Sequence, residues 1–192
     1  MIGDFRASLG EAHRLLGEFL SKDANIESLE QIAGLVTHTF REQGRVYACG
    51  NGGSLADAMH FAEEWTGRFR SDRIPYPVIA FSDPTHLTCV ANDYGYDQVF
   101  SRMVEALGKP GDVLFLLTTS GNSPNLLRAA ETARQRGVKT VGFLGKGGGS
   151  LKSLCDFHLL APGETSDRIQ EIHMVCLHIL IEVVERRLEG NA

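Results

Sequence analysis

Long apolar runs, paired cysteines and basic clusters are all missing from this chain, and each absence removes a class of function. A membrane-spanning helix needs about 20 consecutive apolar residues. The segment from Val175 to Val184 comes nearest, but it is short and carries His178 and Glu182. The four cysteines, Cys49, Cys89, Cys155 and Cys176, are scattered, with no Cys-x-x-Cys spacing. That argues against a disulfide framework or a thiolate zinc site, and for reduced core thiols in a cytoplasmic protein. No Lys/Arg cluster appears and the formal net charge is −5, so no broad nucleic-acid-binding face is expected. Asp4, Arg6 and Glu11 interrupt the N-terminus, which therefore does not resemble a secretory signal. Internal repeats, low-complexity tracts and interdomain linkers are likewise missing. The 192 residues, 43% of them hydrophobic, suit one α/β domain with a substantial core.

What the chain does have is a pair of strand-to-helix turns built from small and hydroxyl residues. One runs Arg45-Val46-Tyr47-Ala48-Cys49-Gly50-Asn51-Gly52-Gly53-Ser54, the other Val113-Leu114-Phe115-Leu116-Leu117-Thr118-Thr119-Ser120-Gly121-Asn122-Ser123-Pro124. In each, an apolar run ends, a loop without large side chains follows, and a helical pattern opens. Such a loop aims unpaired backbone N–H groups and hydroxyls at one spot, with the positive end of a helix dipole behind them. Pro124 falls at the first helical position, where its missing N–H does no harm. One such loop is as readily an ordinary βα turn. Two in one short chain favour a phosphate or a polyhydroxylated sugar.

Helical periodicity marks Phe5, Leu9, Leu15, Leu16, Phe19 and Leu20, then Ile26 to Phe40, ending near Gly44. Strands are expected at Val46–Cys49, Val78–Phe81, Val113–Leu117, Thr140–Leu144 and Phe157–Leu160. Helical segments separate them, notably Leu55–Thr66, Phe100–Leu107 and Leu126–Gln135. This alternation predicts a parallel sheet covered on both faces. The chain reads as a single domain, residues 1–192. Its N-terminal helices, 1–43, are expected to pack in an oligomer, and 44–192 form the sheet core and the C-terminal helix. Lys146-Gly147-Gly148-Gly149-Ser150 reads as a flexible turn, with a third phosphate loop as the alternative. The last helix, roughly Asp167 to Leu188, is apolar nearly all round in its middle. A domain this small cannot cover such a helix alone, so a subunit interface is expected.

His60 and Glu64 are four apart and share a helix face. Gln170, His173 and His178 lie on the last helix, Gln170 and His178 two turns apart on neighbouring parts of one face. Polar groups in so apolar a helix need partners. Two imidazoles, a carboxylate and an amide oxygen can hold zinc or a similar divalent ion; each His is otherwise a hydrogen-bonded core residue. Asn92-Asp93 precedes Tyr94-Gly95-Tyr96-Asp97, a loop-like stretch that either holds sugar hydroxyls or caps a turn.

Together, Cys49-Gly50-Asn51-Gly52-Gly53-Ser54, Asp57-Ala58-Met59-His60-Phe61-Ala62-Glu63-Glu64, Asn92-Asp93, Thr119-Ser120-Gly121-Asn122-Ser123 and Asp167-Arg168-Ile169-Gln170-Glu171-Ile172-His173 resemble the phosphoheptose isomerases. These are single-domain members of the sugar isomerase (SIS) family. The likeness runs in order along nearly the whole chain.

The resemblance implies a doubly wound, flavodoxin-like three-layer αβα sandwich with a five-stranded parallel sheet. It also implies a homotetramer with active sites between subunits. Phosphate would be bound by Thr118, Thr119, Ser120 and Ser123. Further substrate contacts would come from Asn51, Gly52, Gly53, Ser54, Glu64, Asn92, Asp93, Asp167 and Gln170. One zinc ion per subunit would sit at His60, Glu64, Gln170 and His178, with Glu64 as catalytic base and His178 as acid. The implied reaction converts sedoheptulose 7-phosphate to D-glycero-D-manno-heptose 7-phosphate through an enediol. Thr118 departs from the Ser common in the family but keeps the hydroxyl; Leu55-Ala56 also differs from some members. A second reading is a non-enzymatic tetramer of the same scaffold that binds a replication initiator protein; the metal-type residues argue against it. A phosphosugar-sensing repressor would carry a helix-turn-helix segment ahead of the SIS-like region, and none is visible here.

Overall fold

A computed structural model describes residues 2–190 of the chain. The helices are α1 (Ile2–Leu20), α2 (Asp23–Arg41), α3 (Gly53–Thr66), α4 (Pro84–Tyr94), α5 (Ser101–Leu107), α6 (Pro124–Gln135) and α7 (Ser166–Glu189). The strands are β1 (Val46–Gly50), β2 (Val78–Ala80), β3 (Val113–Thr118), β4 (Lys139–Leu144) and β5 (Phe157–Leu160). All five expected strands form, within a residue of their expected ends, and they make one parallel sheet in the order β2-β1-β3-β4-β5.

Strand alternation builds two cores from one sheet. Val46, Ala48, Val113, Phe115, Leu117, Val141 and Phe143 face α1, α2, α3 and α7. Tyr47, Cys49, Leu114, Leu116 and Leu144 face the other way, toward Val90, Val104, Leu126 and Ala130 of α4, α5 and α6. The central strands are therefore apolar on both faces and fully buried. The strand order reverses between β1 and β3, whose C-terminal ends lie side by side with Gly50 opposite Leu117. A crevice opens at such a switch point, and both small-residue loops border it.

Two segments differ from their sequence reading. The stretch Tyr94-Gly95-Tyr96-Asp97 is less loop-like than its sequence: Tyr94 ends α4, whose last turn holds Asn92 and Asp93, and Tyr96–Gln98 form a 3₁₀ turn. Thr88, Val90, Asn92 and Asp93 are weak helix formers, which hides this helix from periodicity. Its start is nonetheless well signalled: Pro84 occupies the first turn, and the Asp83 side chain accepts the His86 N–H at 2.7 Å. The second is Lys146–Ser150. It forms two short 3₁₀ turns, Lys146–Gly148 and Ser150–Ser153, packed onto the loop after β3.

On α7, Ile169, Ile172, Cys176, Leu177, Leu180, Ile181 and Val184 are buried, while Ile179 remains 44% exposed. Ile179 and Val183 line an apolar groove of about 440 Å³ whose other walls are Leu16, Leu20, Ile26 and Leu29 of α1 and α2. Further along α1, Ile2, Phe5 and Leu9 are each more than 70% exposed. No described helix is long and apolar enough to cross a membrane. All four cysteines are free, and burial pushes the Cys49, Cys155 and Cys176 thiols up, away from reactivity.

Candidate active site

The loop after β3 is shaped by its own hydroxyls. Thr118 is buried, and its Oγ1 accepts the N–H groups of Ser120 and Gly121 at 3.3 and 3.2 Å. Ser120 Oγ accepts the Asn122 N–H at 3.3 Å. These bonds curl the backbone before Ser123, which holds the N-cap position of α6 with its hydroxyl unused for capping. Thr118, Thr119, Ser120 and Ser123 line a cavity of about 370 Å³, joined there by Asn51, Gly53, Ser54, Ser166 and Gln170. The structure thus brings together most of the residues expected to hold the phosphate and sugar.

Small residues matter here for a geometric reason. Gly52 has φ +55, and a Cβ on Gly53 would lie 2.7 Å from the Gln170 amide. Gln170 Nε2 donates to Ser54 Oγ at 3.2 Å, so α7 closes onto the first turn of α3.

Two turns further along α3, His60 Nε2 and Glu64 Oε1 are 3.1 Å apart. His178 of α7 meets His60 edge-on, with ring centroids 5.0 Å apart, and packs against Phe69 at 5.7 Å. Ligand atoms of His60, Glu64 and His178 all lie within 4.8 Å of one another. His178 Nε2 is buried and has no hydrogen-bond partner. A buried imidazole nitrogen without a partner beside a second imidazole and a carboxylate fits a divalent cation of the zinc type. His173 plays no such part. It donates from Nε2 to the Leu144 carbonyl at 3.2 Å in the core, and burial pulls its pKa down to about 4.

Two contributors escape sequence reasoning. Arg73 lies in the loop after α3, its side chain only 4% exposed. Its guanidinium donates to the Glu64 and Trp65 carbonyls, each at 2.7 Å, and to Glu185 of α7 at 2.7 Å. It caps the C-terminal end of α3 and ties the helix carrying Glu64 to the helix carrying His178. No periodicity could mark a loop arginine for this task. The other is Asp57, one turn before His60. Its Oδ2 is buried and unpartnered, and burial pushes its carboxyl up to about 6 against the pull of His60. An acid three residues before a ligand-type histidine was the available signal.

Asn92, Asp93 and Asp167 are exposed and outside the cavity lining. Asp167 lies in the first turn of α7, where the Thr165 hydroxyl and the Arg168 N–H hold its carboxyl below the usual range.

Residues 9–145 match the family described as the SIS domain. A phosphoheptose isomerase of Vibrio parahaemolyticus is 52% identical over 185 residues, which are 96% of this chain and 97% of that protein. The solved structure of a phosphoheptose isomerase from Neisseria gonorrhoeae aligns with a TM-score of 0.89 at 35% identity, over 95% of this chain and 97% of that one. One from Francisella tularensis gives 0.91 at 31% identity, over 96% and 98%.

Proposed function

The chain belongs to the SIS-domain phosphoheptose isomerases and is a sugar-phosphate isomerase, and from that premise we propose its reaction. It converts sedoheptulose 7-phosphate to D-glycero-D-manno-heptose 7-phosphate in the cytoplasm, the first step toward nucleotide-activated heptose such as that of lipopolysaccharide. The observation that carries this reading is the meeting of His60, Glu64 and His178 within 4.8 Å, across two helices whose first turns border the hydroxyl-lined cavity.

An aldose–ketose isomerase must move a proton between C1 and C2 through an enediol. That calls for a base, an acid and an electrophile for the developing oxyanion. Glu64 takes the carbon-bound proton and His178 supplies the acid. Thr119, Ser120 and Ser123, on the loop shaped by Thr118, hold the phosphate and keep the open-chain sugar in register. Asn51, Gly52, Gly53, Ser54, Asn92, Asp93, Asp167 and Gln170 contact the sugar. His60, Glu64, Gln170 and His178 would hold a zinc ion, which when bound polarises the carbonyl oxygen. Glu64 then serves both as ligand and as base.

Protein purified without chelator is expected to carry about one zinc, or a substitute metal, per subunit by elemental analysis. It should turn sedoheptulose 7-phosphate into an aldoheptose phosphate, and chelation should abolish this. Full activity in metal-free protein would remove the metal from the reaction. Failure of the metal-loaded protein to turn over the substrate would overturn the reaction itself.

The assembly proposed is a homotetramer. Its support is the exposed apolar face of α1 and the groove that α1 and α2 form with α7. Sedimentation should give a mass well above the 21.0 kDa of one chain. A stable monomer at micromolar concentration would contradict both the tetramer and a site shared between subunits.

A further inference from the structure

Asn51 and Asn125 face each other across the crevice between β1 and β3. Asn51 Nδ2 donates to Asn125 Oδ1 at 3.0 Å, and Asn125 Nδ2 donates to Asn51 Oδ1 at 2.8 Å. Asn125, in the first turn of α6, is only 2% exposed and Asn51 is half-buried, so this amide pair joins the two loops from the floor of the crevice. A third group enters from outside: the Tyr96 hydroxyl donates to Asn51 Oδ1 at 2.9 Å. Both acceptor directions of that oxygen are then filled. One Nδ2 hydrogen is engaged by Asn125, which leaves Asn51 a single N–H for a ligand in the cavity it lines. Rotating the amide by half a turn would set its N–H groups against those of Asn125.

Tyr96 begins a short 3₁₀ turn, Tyr96–Gln98, directly after α4. Gly95, with φ +96, lets the chain bend there. The next residue, Asp97, accepts from Arg128 Nε of α6 at 2.6 Å. The turn is therefore strapped twice, to the loop after β1 through Tyr96 and to α6 through Asp97. Asn92 and Asp93 sit immediately upstream, in the last turn of α4, so the strap also fixes the end of the helix that carries them.

We propose that Tyr96 is a positioning residue of the sugar-phosphate site: its hydroxyl locks the Asn51 side chain with one N–H free for a substrate oxygen and holds the end of α4 against the loop after β1. The ligand atom selected is a hydrogen-bond acceptor, namely a hydroxyl, carbonyl or phosphate oxygen. This rests on the sugar-phosphate isomerase reading above, and it adds a residue that lies outside the cavity lining.

Tyr96→Phe tests it, because it removes one oxygen from a ring that is 57% exposed and so leaves folding intact. Loss of that bond is expected to raise the KM for sedoheptulose 7-phosphate about five-fold with kcat within about two-fold. Amide hydrogen exchange, read by mass spectrometry, should quicken in peptides spanning 50–55 and 92–99, with the melting temperature unchanged. A substitution that merely loosened the surface would leave KM and the 50–55 peptide alone. Unchanged exchange in both peptides overturns the strap. Faster exchange with an unchanged KM overturns its bearing on the substrate. If the wild-type protein leaves sedoheptulose 7-phosphate untouched, the proposed reaction fails instead, and exchange alone decides whether Tyr96 positions Asn51.

Discussion

Glu64→Gln is expected to lower turnover of sedoheptulose 7-phosphate by at least about 100-fold, the scale of a positioned general base, with KM changed only modestly. The argument starts from what the substitution preserves. Glutamine keeps a carbonyl oxygen on the same stem, four residues after His60 and within reach of His178, so an oxygen able to ligate the proposed metal remains. The backbone carbonyl of Glu64, which Arg73 holds at 2.7 Å, is untouched, and α3 stays capped. What disappears is the ability to accept the carbon-bound proton. Elemental analysis of the variant should therefore show metal retained while turnover and solvent hydrogen exchange at C1 or C2 collapse. Ser120→Ala should behave in the opposite sense, raising KM more than it lowers kcat, because its hydroxyl lies on the loop proposed to hold the phosphate. Near-normal turnover and exchange in Glu64→Gln would reassign the base to His178 or Asp167. A protein that merely binds an initiator gives neither residue a role in turnover.

The strands and the two loops were legible because their signals are local. An apolar run followed by Gly-Asn-Gly-Gly-Ser or Thr-Ser-Gly-Asn-Ser is visible in any ten-residue window, and the two-sided burial of β1 and β3 follows from alternation alone. His60 and Glu64 were legible for the same reason, since four residues on a helix put them on one face. Their meeting with His178 is different in kind. It depends on α3 and α7 packing side by side, which no window contains. Family resemblance pointed to it, and the interlocked geometry of Gly53, Ser54 and Gln170 at one end and His60 and His178 at the other supplies the physical reason. Arg73, Asn125 and Tyr96 stay hidden because each works through hydrogen bonds to other segments of the chain, which no periodicity marks. The helix α4 was missed because its stability comes from its cap and its packing, not from propensity. Lys146–Ser150 is the turn its glycines indicate, all three at positive φ, but its packing onto the loop after β3 is not legible, because a glycine signals conformational freedom and close approach alike.

That close approach predicts the second large effect. Gly121→Ala is expected to lower kcat/KM for the sugar phosphate by about 100-fold, mostly through KM, since a displacement of about 1 Å in a positioning element has that consequence. Gly121 sits at φ +67 in the loop after β3, the one proposed to hold the phosphate, and a Cβ there would lie 1.9 Å from the Gly148 carbonyl oxygen and 2.3 Å from its carbon. Both atoms are backbone, so no side chain can swing aside. The glycine turn is itself fixed to the loop: Leu151 N–H donates to the Gly121 carbonyl at 2.9 Å, and Ser150 N–H to Asn122 Oδ1 at 3.0 Å. Relieving the clash must separate the two turns and break those bonds, moving the Ser120 and Ser123 hydroxyls with them. Left-handed backbone adds a further penalty of about 1–2 kcal/mol for any residue with a Cβ, so the melting temperature should fall as well. Gly147→Ala isolates that second effect. Gly147 also has positive φ, +80, but its Cβ would meet nothing within 4 Å. It should therefore lose stability to backbone strain while keeping near-normal kcat/KM. Steady-state kinetics and thermal unfolding of the two variants side by side decide the matter. If Gly121→Ala is no worse than Gly147→Ala in kcat/KM, the glycine turn does not shape the loop after β3 for the substrate, and the tight packing between them is structural alone.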